Sequence, residues 1–201
     1  MPTKAMQLIG DSELRNAVKH SLLAPLCKDS TTLIIDELGL RHGAARIDIA
    51  VVNGDLHGYE LKSERDNLRR LPRQVGVYNA VLDRITLVVT EHHFTQATQM
   101  IPSWWDVLLA ENAPAGDITL RMVQTGGMNP HISALAVAKL LWRDEALQLL
   151  EAHGAAEGFR SKPRRFIYSC LVELLDLPQL RAYVRDQLRA RKDWRFVEPR
   201  M

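Results

Sequence analysis

The sequence predicts an α/β fold: an α-β-β-β-α-β core on a mixed central sheet, with a helical C-terminal extension. Three observations carry that reading. Residues 46–62 alternate apolar and polar side chains on either side of Asn53-Gly54, the strongest short-range signal for a β-hairpin. Arg84 to Thr90 is an apolar run that follows a helix, as expected for a strand parallel to the second hairpin arm through a right-handed crossover. Beyond residue 130 the apolar positions fall at helical spacing, Phe166, Cys170 and Leu174 among them.

In chain order, Asp11 or Ser12 caps a first helix running to about Leu23, with Leu14, Val18 and Leu22 on one face and Pro25 closing it. Thr31 to Leu38 is the first strand, and Asp36 and Glu37 at its end point to opposite faces, so only one can look at a shared site. Gly39 to Ala45 turns into the hairpin. There Ile47, Ile49 and Val51 share one face and Arg46 and Asp48 the other, while Tyr59 and Leu61 oppose Glu60 and Lys62.

Register decides whether those charges meet. A two-residue loop would set Asp48 against Tyr59, whereas a bulged three-residue loop, Asn53-Gly54-Asp55, sets it against Glu60 and sets Arg46 against Lys62. The bulged form is predicted, with the two carboxylates' Cβ atoms roughly 5 Å apart. Carboxylates removed from water need a partner, and two of them beside an amine suit a hard, oxygen-seeking cation.

After the hairpin, Ser63 to Arg70 is dense in charge, and Arg65, Arg69 and Arg70 are candidates for holding phosphates or for local ion pairs in a solvated loop. Pro72 belongs in the first turn of a helix reaching about Leu82, and Gln74 and Tyr78, four apart, share one of its faces. His92-His93 follows the next strand and, in an extended segment, would project to opposite sides. A short helix to Met100, Trp104-Trp105 as a packing anchor, a strand Val107 to Ala110 and an edge strand Ile118 to Gln124 follow. Gly126-Gly127 and Asn129-Pro130 divide a domain of residues 1–125 from a helical region of residues 126–201. In that region Arg181, Arg185 and Arg189 recur every four residues, as a row for a nucleic-acid backbone or as an exposed helix face.

Composition narrows the class. The 201 residues are 46% hydrophobic, ample for a packed core. Lys plus Arg against Asp plus Glu runs 13 to 15 over residues 1–125 and 13 to 9 over residues 126–201, so the net +2 joins a mildly acidic part to a basic one. With no apolar run of membrane-spanning length and no apolar leader, a cytoplasmic protein without a membrane partner is expected. Cys27 and Cys170 lack zinc-site spacing and read as reduced thiols.

Asp48, followed across a hairpin by Glu60-x-Lys62, resembles the PD-(D/E)xK nuclease superfamily, the restriction-endonuclease-like fold. Gln74-Val-Gly-Val-Tyr78 looks like the Gln-x-x-x-Tyr helix motif of its RecB-type branch. The run from Glu37 to Gln74, with Ile101-Pro-Ser-Trp-Trp105, is similar to an uncharacterised bacterial family assigned to the superfamily. The resemblance covers roughly residues 11 to 110, and Ile47 stands where the superfamily's name has proline.

The resemblance implies a metal-dependent nuclease acting on nucleic acid, DNA ahead of RNA. It implies Mg²⁺ or Mn²⁺ held by Asp48, Glu60 and the Leu61 backbone carbonyl, with Glu37, and Glu13 from the first helix, as further metal ligands. Lys62, Gln74 and Tyr78 complete the catalytic set, and Arg46, Arg65, Arg69 and Arg70 are the nucleic-acid contacts. Two other readings stand beside it: a catalytically inactive nuclease-fold module that binds nucleic acid or protein, and an ordinary α/β domain in which Asp48, Glu60, Lys62 and Arg46 form a salt-bridged network. A homodimer is compatible with any of these.

Overall fold

β-Branched and aliphatic residues dominate six strands that form one sheet in sequence order: β1 (Leu33–Leu40), β2 (Ala45–Val52), β3 (Leu56–Lys62), β4 (Arg84–Thr90), β5 (Asp106–Asn112) and β6 (Ile118–Gln124). The computed structural model describes residues 8–114 and 116–191. The first three strands are antiparallel, β3–β4 and β4–β5 are parallel, and β6 returns antiparallel, so the sheet is mixed. The helices are α1 (Asp11–Val18), α2 (Leu71–Asn79), α3 (Glu91–Thr98), α4 (Ala134–Ala138), α5 (Arg143–Ala152), α6 (Arg164–Leu174) and α7 (Leu177–Ala190). The chain is an α/β protein with the expected α-β-β-β-α-β order and C-terminal helices.

Two apolar clusters flank the sheet. One, with Leu14 and Val18 of α1, takes Ile49, Val51, Tyr59, Leu61 and Val88. The larger takes Ile47, Ala50, Val52, Leu56, Ile85 and Leu87, with Tyr78 of α2, and runs on into Val137, Leu150, Ile167 and Val184 of the C-terminal helices. Those helices therefore share a core with the sheet.

The hairpin register is the one predicted for the three-residue loop: Ile49 faces Tyr59 and Val52 faces Leu56, which sets Asp48 towards Glu60. Strict alternation does not survive to the strand end. Ile47 packs with Ala50 and Val52 rather than with Ile49 and Val51. The break coincides with Glu37, which is left-handed at φ 58° on the neighbouring strand, where pairing skips from Asp36–Ile49 to Leu38–Ile47.

Several boundaries moved. Helix α1 begins at Asp11 with Gly10 as N-cap, and a π-helical turn, Lys19–Leu23, continues it. Helix α2 stops at Asn79, three residues short of Leu82. Glu91 opens α3, so His92 and His93 are helical rather than extended, and the His93 ring nitrogen lies 3.0 Å from the Asp66 carbonyl oxygen. No helix among the described residues is long and apolar enough to cross a membrane.

Candidate active site

At the end of the hairpin β2 and β3 part, and polar side chains fill the gap. The last pair of the ladder is Ile49–Tyr59. Beyond it the Leu61 N–H donates to Asp48 Oδ2 at 2.8 Å, so a side chain replaces the missing strand partner. Glu60, only 1% exposed, projects from β3 towards α2. Its Oε1 accepts from Lys62 Nζ at 2.5 Å and from Gln74 Nε2 at 2.8 Å. Its Oε2 lies 2.7 Å from the Tyr78 hydroxyl. The Tyr78 hydroxyl also lies 2.7 Å from the Arg46 carbonyl oxygen and accepts from Gln74 Nε2 at 3.0 Å, so its one proton can serve only one neighbour at a time. The i,i+4 spacing on α2 aims Gln74 and Tyr78 at the same carboxylate.

Electrostatics follow from this packing. Burial first, and the neighbouring Glu60 carboxylate second, push Asp48 up to about 7, against the opposing pull of the Leu61 N–H, Arg15 and Lys62. Burial, then the Glu60 charge, raises the Tyr78 phenol, which stays a neutral hydrogen-bonding group.

An open pocket of about 500 Å³ leads to Asp48, with Asp11, Arg15, Glu37, Arg46, Arg73 and Gln74 among its walls. Arg15 of α1 dominates its acidic side. Its guanidinium donates to the Asp48 carbonyl at 2.8 Å, to Glu37 Oε1 at 3.0 Å and to Asp48 Oδ1 at 3.3 Å, and lies 3.6 Å from Asp36 Oδ1. The left-handed backbone at Glu37 lets Asp36 and Glu37 both reach Arg15, where strand alternation would have allowed one. Glu37 is also bound by Arg46 at 3.3 Å.

The remaining candidates divide. Arg46 and Arg70 line the pocket; Arg65 and Arg69 do not. Glu13 stands apart, exposed and bonded to Ser12, because α1 turns its Asp11/Arg15 face to the site. The structure places the four expected carboxylate ligands unevenly: Asp48 and Glu60 meet where the strands part, Glu37 is held by two arginines, and Glu13 does not line the pocket. The arginine row on α7 divides: Arg181 lies 2.6 Å and Arg185 3.6 Å from Asp83, a 2%-exposed carboxylate that also accepts the Leu56 N–H, so these two anchor the helix to the sheet, while Arg189 pairs with Asp186 on its own helix. Arg15 and Asp83 are the residues that reading the sequence missed. The partners that place them at the site lie far along the chain, 33 positions for Arg15 and Asp48 and 98 for Asp83 and Arg181.

A Mg²⁺ or Mn²⁺ ion fits what remains only in part. Burial and the neighbouring Glu60 carboxylate disfavour the charged form of Asp48, a cost that a bound cation would offset, and two carboxylates with a carbonyl suffice for an ion that keeps several waters. Glu60 Oε1 already has two donors, and the Arg15 guanidinium on Asp48 Oδ1 would repel a cation bound to that oxygen.

A model of the family described as "Bacteriophage P4 protein cII" matches residues 7–198. Among curated proteins, "Protein cII" of Enterobacteria phage P4 is 25% identical over 171 residues, which cover 83% of this chain. The chain spans 63% of that relative's length. No solved structure matches.

Proposed function

The chain belongs to the bacteriophage P4 protein cII family, and from the site it carries we propose that it is a metal-dependent nuclease of the PD-(D/E)xK superfamily, hydrolysing phosphodiester bonds, DNA ahead of RNA. The observation that carries the reading is the convergence of Asp48, Glu60, Lys62, Gln74 and Tyr78 where β2 and β3 part, beneath a pocket rimmed by Arg46, Arg70 and Arg73. Asp48 and Glu60, with the Leu61 carbonyl, would hold Mg²⁺ or Mn²⁺, which supplies charge neutralisation at the phosphate and an acidified bound water.

The side chains do the rest. Gln74 and Tyr78 fix the Glu60 carboxylate from one side, and Lys62 fixes it from the other. The Lys62 ammonium donates to Glu60 and, at 3.5 Å, to Gln74 Oε1, which leaves a third donor to position the attacking water or to meet negative charge developing on the phosphate. Arg46, Arg70 and Arg73 bind the flanking phosphates.

Arg15 favours a second reading. A guanidinium bound among Asp36, Glu37 and Asp48 already supplies the cation that the acidic pocket needs, as a nuclease-fold module without turnover would keep it. Labelled single- and double-stranded DNA and RNA incubated with Mg²⁺ or Mn²⁺ decide between them. The nuclease reading expects cleavage by the wild-type chain, abolished by EDTA and by Asp48→Asn or Lys62→Ala. No cleavage of any substrate, together with no saturable Mn²⁺ binding by calorimetry, would leave the inactive module.

A further inference from the structure

Among the described residues many cations are ion-paired, and others, Lys28, Arg65, Arg69, Lys162 and Arg165 among them, are unpaired and lie outside the Asp48 pocket and the cavities beside it. Arg15, Lys19, Arg84, Arg121, Arg181 and Arg191 are each held by a carboxylate within 4.0 Å. Arg41, Arg70, Arg73, Lys139 and Arg164 form no ion pair with a described residue, and they gather along one line. Arg70 and Arg73 line the Asp48 pocket. Arg73 also lines a second cavity, of about 480 Å³, with Arg41, His42 and Lys139. His42 and Lys139 in turn line a third, of about 320 Å³, with Arg164, Arg191 and Trp142. Shared walls join the three into one groove. Acids line its first part, but among the described residues no Asp or Glu lines the second or third.

The backbone holds these cations in place. Arg41 and His42 occupy the β1–β2 turn in left-handed conformation, at φ 49° and 58°, which costs a non-glycine residue energy and aims both side chains outward. Burial, then the charges of Arg164 and Lys139, depress the pKa of His42, as expected where cations from three elements converge. At the far end Trp142 is 53% exposed, with the Arg191 guanidinium 4.4 Å from its ring centroid. Unpaired cations crowded without counter-charge repel one another, and an aromatic ring beside them offers a base a stacking face.

We propose that a single strand of nucleic acid runs from the Asp48 pocket along this groove, its phosphates held by Arg70, Arg73, Arg41, Lys139 and Arg164 and a base stacked on Trp142. The inference rests on the nuclease reading for its link to hydrolysis, but the binding it describes needs no turnover.

Fluorescence anisotropy of a labelled 20-nucleotide oligo(dT) on the full chain, in EDTA, tests it, with a duplex of equal length alongside. With a slope of about 0.7 per phosphate contact on a single strand, an Arg41→Ala/Lys139→Ala variant lowers the salt slope by about 1.4. Its affinity falls about 25-fold at 0.1 M salt if the two proteins bind equally at 1 M. Lys162→Ala/Arg165→Ala removes the same charge from exposed positions outside the groove and should change little. An abasic strand should bind the wild type about tenfold more weakly than oligo(dT), and bind Trp142→Ala no worse than the wild type. Circular dichroism confirms that each variant is folded.

Equal losses in the two double variants, tighter duplex binding that ignores the groove variant, or no saturable binding would overturn the proposal. Groove-dependent binding without cleavage in Mg²⁺ would leave it standing and remove the hydrolytic reading alone.

Discussion

Replacing Asp48 with Asn tests the electrostatics of the site without disturbing its shape. The carboxyl's pKa stands near 7 in the folded chain, against 3.8 as its ordinary value. The folded state therefore binds the proton more tightly than the unfolded state. The stability this contributes is fully present below about pH 4 and is lost as the pH rises through 7. Between pH 5 and pH 8 the loss is about 2–3 kcal/mol in the absence of divalent metal. That figure is an upper bound, since 22% of the side chain is open to the pocket.

Asn can still accept the Leu61 N–H, but its amide then faces the Arg15 guanidinium as donor against donor. That offset does not vary with pH. His57 acts in the opposite sense: burial, then Arg84, depresses it to about 4, so its contribution is lost as the pH falls below about 6.5. The raw profile of the wild type is thus not diagnostic, but the variant-minus-wild-type difference is. Urea denaturation in EDTA, followed by circular dichroism from pH 5 to 8, should show Asp48→Asn gaining on the wild type by about 2–3 kcal/mol. A difference constant across that range to within about 0.5 kcal/mol would refute the claim that Asp48 is charged at a cost.

Three further outcomes are expected. Arg15→Ala should tighten Mn²⁺ binding about tenfold or more in calorimetry, because a unit charge a few ångströms from the ion no longer repels it; unchanged or weaker binding would show that Arg15 does not compete for the site. Gly58→Ala places a Cβ 2.6 Å from Leu82 Cδ1 and 3.0 Å from Ile47 Cγ1, and overpacking of about 1–3 kcal/mol should lower the urea midpoint. Arg181→Met leaves Asp83 with Arg185 and the Leu56 N–H alone and should cost about 2–3 kcal/mol, less than removal of a sole partner; an unchanged midpoint would mean that α7 is anchored by its apolar face.

The parts of the site that were readable from the sequence depend on local rules. Asn53-Gly54-Asp55 set the hairpin register because its loop length fixes which residues face each other, and the spacing of Gln74 and Tyr78 set their common face because helices repeat every 3.6 residues. The misreadings fall where local rules stop. Ile47 changes face because the alternation breaks between Glu37 and Asp48, a distortion that no period-two pattern contains. Glu13 is a metal ligand only as the resemblance implies it, whereas the rotation of α1 about its axis, set by Leu14 and Val18 against the sheet, turns Arg15 to the pocket. The groove was invisible for a related reason. Its cations come from the β1–β2 turn, α2, the residue after α4, and α6, and only folding makes neighbours of Arg73 and Lys139.

Fold stability alone gives little reason to bury Glu60 and Lys62. The pair is 1% and 4% exposed in a sheet whose inward positions are mostly apolar, and apolar residues of similar volume commonly replace such pairs with no loss, or with a gain of about 1–4 kcal/mol. A Glu60→Leu/Lys62→Met double variant should therefore keep its fold and match or exceed the wild type in urea, offset by about 1 kcal/mol for the lost bonds from Gln74 and Tyr78. Removing one partner should behave differently. Glu60→Leu alone strands the Lys62 ammonium beside an apolar wall and should cost about 3–5 kcal/mol. If the double variant instead unfolds as readily as the single one, the pair is a structural requirement of this sheet, and its burial ceases to support a catalytic role. If the double variant is stable but loses cleavage, the charges are kept at the parting of β2 and β3 for chemistry that Leu and Met cannot perform.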